Sequence, residues 1–285
     1  MMEKSLKNLL AEHKFSLKKT YGQNFLTDEN LLDEIVEKAG VGENDTVLEI
    51  GCGAGALTRA LARKAKKVVG YEIDERLKPV LAETLAGFDN VQIVFKDVMK
   101  EKIKDVEEKL GGEYRLAANL PYYITTPIVM NFVENSENLK SMCVMVQEEV
   151  AARFSARPAT ADYGAVTVGI NLRGNAQTVL RVPREKFTPV PNVDSAVVWI
   201  DMQKDKFVGA DLARVRNVVR VAFSSRRKML VNNLMNGFKW TRMQAENALD
   251  FAGIPLTARG ETLSAEDFVK LAEVAAAVGK NGAGF

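Results

Sequence analysis

Apolar and polar positions fall into two regimes along this chain. Up to about residue 202, short apolar runs alternate with segments of helical period. The runs 46–50, 68–73, 91–95, 114–118 and 141–146 read as buried strands, and 177–182 and 195–202 as a final pair. Between them, the spacing predicts amphipathic helices over 28–39, with Thr27 or Asp28 as N-cap, and 56–66, with a further helix starting at Asp74. Strands alternating with helices imply an α/β domain, a mostly parallel sheet covered on both faces. Past Met202 the period becomes helical throughout. Val215, Val218, Val219, Ala222, Leu230 and Leu234 predict one basic helix over 211–236, followed by helices over 243–251 and 265–278. The reading is therefore a leader at 1–20, an α/β domain at 21–202 and a small all-helical domain at 203–285, its Gly- and Ala-rich end from 275 frayed.

Composition narrows the function classes. The 285 residues are 47% hydrophobic and 27% charged, ordinary for a globular protein. No apolar run approaches the roughly 20 residues that span a bilayer, and the leader, with Glu3, Glu12 and five lysines, lacks a signal-peptide core. A cytoplasmic protein is expected. Cys52 and Cys143 have neither zinc spacing nor a disulfide framework, and no metal site is expected. The single histidine, His13, lies in the leader, which argues against a His-based triad or a His general base. Net charge is +2, yet ten Lys or Arg and only two acids lie between Lys204 and Arg242. That cluster suits a polyanion, with Arg220, Arg226, Arg227 and Lys228 as candidates for RNA phosphates.

Two strand ends carry the candidate chemistry. Gly51-Cys52-Gly53-Ala54-Gly55 follows a strand and opens a helix, and Glu72 lies about 20 residues further on, placed to hold ribose hydroxyls. The loop alone fits either a nicotinamide cofactor or S-adenosylmethionine. Asp97, ending the third strand, could accept from an adenine amino group. Asn119-Leu120-Pro121-Tyr122 ends the next strand, and ligands bind at that edge of open α/β sheets. An Asn oxygen and a backbone carbonyl can accept both N–H groups of an exocyclic amine, Pro121 stiffens the turn, and Tyr122 offers a ring for base stacking. Without a core histidine for proton transfer, methyl transfer is favoured over dehydrogenation.

These motifs, with Gly22-Gln23-Asn24-Phe25-Leu26, Phe187-x-Pro189-x-Pro191-x-Val193-Asp194-Ser195-Ala196, Arg226-Arg227-Lys228 and Arg259-Gly260-Glu261-Thr262-Leu263, resemble the bacterial KsgA/RsmA family of ribosomal RNA adenine dimethyltransferases. The resemblance runs from Tyr21 to Leu271. It implies a Rossmann-like, seven-stranded methyltransferase sheet and a helical C-terminal domain. The implied activity is S-adenosyl-L-methionine-dependent dimethylation of N6 on two adjacent adenines near the 3′ end of 16S rRNA, by a monomer acting on the small ribosomal subunit.

Residue by residue, the resemblance puts Gln23, Asn24, Leu26, Gly51, Gly53, Gly55, Glu72, Asp97 and Asn119 around the cofactor. It puts Asn119, Leu120 and Pro121 on the target amine, with Tyr122 and Phe187 sandwiching the base. Cys52 and Tyr123 depart from the family's usual proline and asparagine. The rival readings are the related large-subunit methyltransferase of macrolide resistance and a ribosome-assembly factor with incidental catalysis.

Overall fold

The structure is a computed structural model describing residues 12–13 and 25–281. Its chain divides into two compact units, one of residues up to Ala151 with Asn175–Met202, the other of Ala152–Gly174 with Gln203 onward.

The first unit is a seven-stranded sheet, β2 (Thr46–Ile50), β3 (Lys67–Glu72), β4 (Val91–Phe95), β5 (Tyr114–Asn119), β6 (Leu139–Gln147), β7 (Gly174–Val182) and β9 (Ser195–Met202), in the order β4-β3-β2-β5-β6-β9-β7. Strands β2 to β6 pair in parallel and β9 runs antiparallel to β6. Val47, Leu48, Val68, Val69, Leu116 and Val144 are completely buried, which is why these strands read as unbroken apolar runs. All seven predicted strands are present. A small antiparallel pair was not anticipated, β1 (Phe25–Leu26) against β8 (Phe187–Thr188). Two-residue strands carry no period to detect.

Local chemistry sets the helix boundaries. The helix Glu29–Lys38 starts at Asp28 rather than Thr27, because the Asp28 carboxylate accepts from Leu31 N at 3.2 Å. It buries Leu32, Ile35 and Val36 at helical spacing. Asp74 caps a short 3₁₀ turn leading into the helix Lys78–Thr84.

The second unit is helical, and the division predicted at residue 202 needs correction. Residues Ala152–Gly174, assigned from sequence to the α/β domain, belong to the helical unit. Tyr163, Val168 and Leu172 join Val215, Val218, Leu234, Leu249 and Phe268 in one core, and the Tyr163 hydroxyl donates to the Leu263 carbonyl at 2.7 Å. The predicted basic helix is also two helices, Leu212–Ala222 and Leu230–Phe238. The Ser224 hydroxyl donates to the Val221 carbonyl, and Asn233 Nδ2 donates to the carbonyls of Ala222 and Ser225, so side chains close the first helix and hold the turn. The first part of the end expected to be frayed is helical, Ala265–Asn281 being a single helix, and residues 282–285 lie outside the described residues. Among the described residues, no helix is long and apolar enough to cross a membrane.

Candidate active site

One pocket opens at the C-terminal ends of β2, β3, β4 and β5. Gly51 and Gly53 line it with Glu72, Asp97 and the run Asn119 to Tyr122, and Leu26 joins them from β1. Gly51 and Tyr122, 71 positions apart in sequence, thus line one pocket because four parallel strands end together. Of the predicted cofactor residues, Gln23 and Asn24 lie outside the described residues.

The glycine loop owes its shape to backbone conformation. Gly51 and Gly53 have φ of 79° and 55°, in the left-handed region that favours glycine. A Cβ on Gly53 would lie 3.0 Å from the Phe25 ring, so the absent side chain also lets β1 close over the loop. Gly55 does something else. It does not line the pocket but precedes the helix Ala56–Ala62, and a Cβ there would meet Thr84 and Leu81 at 3.0 and 3.1 Å. Its place here is explained by packing against the helix Lys78–Thr84.

Glu72 ends β3 almost wholly buried, and its two oxygens accept from Gly53 N and Asp74 N, each at 2.8 Å. Burial pushes its pKa up, while backbone N–H groups of Asp74, Gly53 and Ile73 oppose the rise. The carboxylate therefore ties the glycine loop to the β3 turn and still faces the pocket. Asp97 accepts from Met99 N at 3.0 Å through Oδ1, capping a 3₁₀ turn while also lining the pocket. Beyond it Glu101 accepts from Lys96, Lys109 and Tyr71, each at 2.7 Å. Those bonds, led by Lys109, hold its pKa down to about 2.

Asn119 is the last residue of β5, opposite Met145 of β6. The Pro121 carbonyl is engaged by Ile124 N and Thr125 Oγ1, both at 3.1 Å, which fixes the turn. Tyr122 shares a 2.8 Å hydrogen bond with the Ser195 hydroxyl. Burial raises its phenol pKa, so the ring stays neutral at ordinary pH.

Phe187 departs from expectation. It is 2% exposed, absent from the pocket lining, and packed in the core with Leu26, Leu32 and Val197. Pairing of β8 with β1 sets Phe187 opposite Leu26 and draws the ring inward. Of the two rings expected to sandwich the base, Tyr122 alone lines the pocket in this conformation.

Among the RNA candidates, Arg226 has a structural role that the sequence did not show. It forms an ion pair with Glu261 at 2.6 Å and donates to the carbonyls of Thr160 and Ala161, holding three segments of the helical unit together. Arg220 bonds Asn217 on an exposed face. Arg227 and Lys228 lie exposed in the turn between the two helices.

Sequence reasoning missed Glu49. It sits in β2 at 1% exposure, lines the pocket, and its Oε2 has no hydrogen-bond partner. Burial pushes its pKa up to about 8. A lone acid inside the apolar run Thr46–Ile50 was the available signal. Cys52, the departure from the usual proline, lies over Gly70, where any Cβ would come within 2.4 Å of its sulfur. Among the described residues no cluster could hold a metal.

A seven-stranded sheet with an antiparallel β9 and a glycine loop over acids at successive strand ends defines a Rossmann-like methyltransferase. Within that class, the description of the ribosomal RNA adenine dimethylase family matches residues 14–277, and the chain belongs to that family. It is 44% identical over 274 residues to "Ribosomal RNA small subunit methyltransferase A" of Bacillus licheniformis, covering 94% of each chain. Among solved structures, a dimethyladenosine transferase from Plasmodium falciparum superposes with a TM-score of 0.77 at 25% identity, covering 90% of this chain and 98% of that one. The 23S rRNA methyltransferase ErmE gives 0.69 at 30% identity, covering 88% and 99%.

Proposed function

We propose that the protein uses S-adenosyl-L-methionine to dimethylate N6 of two adjacent adenines in the 3′-terminal hairpin of 16S rRNA, within the small ribosomal subunit. The observation that carries this reading is the meeting of Glu72, Asp97 and Asn119 to Tyr122 in one pocket of a chain that belongs to the adenine dimethylase family. The residues present fit the cofactor. The orphaned, buried Glu49 Oε2 suits its ammonium, Glu72 has acceptor capacity left for ribose hydroxyls, and Asp97, with Oδ1 on Met99 N and Oδ2 4.0 Å from Lys100 Nζ, still lines the pocket as an acceptor. S-adenosylmethionine supplies a methyl group already activated by its sulfonium, so the protein's own work is placement and electrostatics. Asn119 Oδ1 and the Leu120 carbonyl accept the two N–H groups of the target amine, since the Pro121 carbonyl is occupied. Tyr122 stacks on the base. The amine loses its proton to water once methylated.

The described lining of the pocket comes from one chain, which supports a monomer, and the basic residues of the helical unit support that unit as the RNA-binding part. The absence of a spanning helix among the described residues fits a cytoplasmic enzyme. The relatives named for the small subunit favour that substrate over the large-subunit alternative represented by ErmE.

Incubation with tritiated S-adenosylmethionine and under-methylated small subunits tests the proposal. Label should appear in N6,N6-dimethyladenosine from 16S rRNA, and Asn119→Ala should lower the rate about 10²–10³-fold with cofactor binding retained. Label confined to large-subunit RNA, or an Asn119→Ala enzyme at full rate, would overturn it.

A further inference from the structure

We propose that Ser195 is a positioning residue for base capture, holding the Tyr122 ring where the incoming adenine meets it. The inference rests on the function proposed above. Three observations carry it. The Ser195 and Tyr122 hydroxyls lie 2.8 Å apart, 73 positions apart in sequence, and Ser195 is 1% exposed. The anchor is also rigid. Ser195 opens β9 opposite Gln147, the last residue of β6, and the Asp194 carbonyl before it accepts from Glu148 N at 3.1 Å. Asp194 Oδ1 further accepts from Arg184 N at 3.0 Å, fixing the chain as it enters the strand. Finally, the sheet puts this anchor in the right place. Asn119, Met145 and Val197 form one row across β5, β6 and β9, and Ser195 lies two residues beyond that row, on the edge where the loop Leu120 to Tyr122 emerges.

The need for such an anchor follows from the pocket. Phe187 lies in the core, so in the described conformation Tyr122 is the one of the two that lines the pocket. Tyr122 follows Pro121 on a turn, and its ring is only half-buried, so packing alone leaves its tip free to swing. A hydrogen bond at the far end of the side chain sets the ring with the stacking face open to the pocket. Stacking energy is then available on arrival, without the entropy cost of ordering the ring. Ser195 does not line the pocket and acts through Tyr122.

The test is a double-mutant cycle with Ser195→Ala, Tyr122→Phe and both together. Transfer into under-methylated small subunits is measured alongside cofactor affinity and melting temperature. Each single variant should lower kcat/KM for the subunit about fivefold to tenfold, the value of one neutral hydrogen bond. Cofactor affinity should not move, and the double variant should be no worse than either single one. A Ser195→Ala enzyme within twofold of wild type, or losses that multiply in the double variant, would overturn the role. Crystal structures of wild type and Ser195→Ala give a readout independent of substrate, with the Tyr122 ring expected to shift or occupy two rotamers. An unmoved ring would refute the proposal even if the wild-type protein transferred no methyl group to small subunits, an outcome that would separately sink the function proposed above.

Discussion

Glu72 offers the sharpest test, because one carboxylate holds two backbone donors and faces the cofactor. Removing it in Glu72→Ala strands Gly53 N and Asp74 N, both bonded to it at 2.8 Å. Charge-assisted hydrogen bonds contribute about 1.5–3 kcal/mol each, and losing a largely buried carboxylate gives back part of its desolvation cost. The expected net destabilisation is about 2 kcal/mol. The informative variant is Glu72→Gln. Both carboxylate oxygens accept from N–H groups, so an amide must turn its NH₂ toward one of those donors. Gln should therefore stabilise little better than Ala, despite being nearly isosteric. Cofactor affinity should fall about 10–100-fold in both, from the lost ribose contacts and the loosened Gly53 loop. Urea denaturation and calorimetric titration of S-adenosylmethionine read the two effects separately. A Glu72→Gln protein within about 0.5 kcal/mol of wild type would show that the paired backbone bonds do not hold the loop. Wild-type cofactor affinity in both variants would leave Glu72 a structural tie alone.

Three further outcomes are expected. Gly70→Ala puts a methyl 2.4 Å from Cys52 Sγ and 2.8 Å from Ile93 Cδ1, so denaturation should show about 1–3 kcal/mol lost, with Cys52→Ala in the same chain restoring part; no rescue would mean the clash is relieved elsewhere. Glu49, with its pKa raised from 4.5 to about 8, stays protonated in the native state while the unfolded state ionises, so its penalty is absent below pH 4.5, grows as pH rises and is complete above 8. Glu49→Gln should accordingly gain about 1–3 kcal/mol relative to wild type between pH 5 and pH 8 while weakening cofactor binding, and a pH-independent difference would contradict the shift. Arg226→Ala should lower stability by about 1–2 kcal/mol, whereas Arg227→Ala and Lys228→Ala should leave stability alone and each flatten the salt dependence of subunit binding by about 0.7–0.9; the reverse pattern would reassign them.

What could be read without coordinates was local and periodic. Buried parallel strands must be apolar on both faces, so the five parallel strands were visible as runs, and Glu72, Asp97 and Asn119 could be placed at or just past strand ends by counting along them. Asp28 announced its helix because capping is satisfied within four residues. Family membership was equally legible, since short motifs in a fixed order survive where overall identity is modest.

Tertiary packing decided the rest. Pairing of β8 with β1 turned Phe187 from a base-stacking candidate into core, and two-residue strands leave no period to foretell it. Ion pairing with Glu261, 35 residues away, made Arg226 a structural tie, although its neighbours Arg227 and Lys228 look the same in sequence. The segment Ala152–Gly174 joined the helical unit because Tyr163, Val168 and Leu172 bury in one core with Val215 and residues beyond it, far along the chain. Glu49 became a site residue only when burial left one of its oxygens facing a pocket without a partner. Charge and polarity are written in the chain, but whether a polar group meets solvent, an opposite charge or a ligand depends on contacts that sequence separation hides.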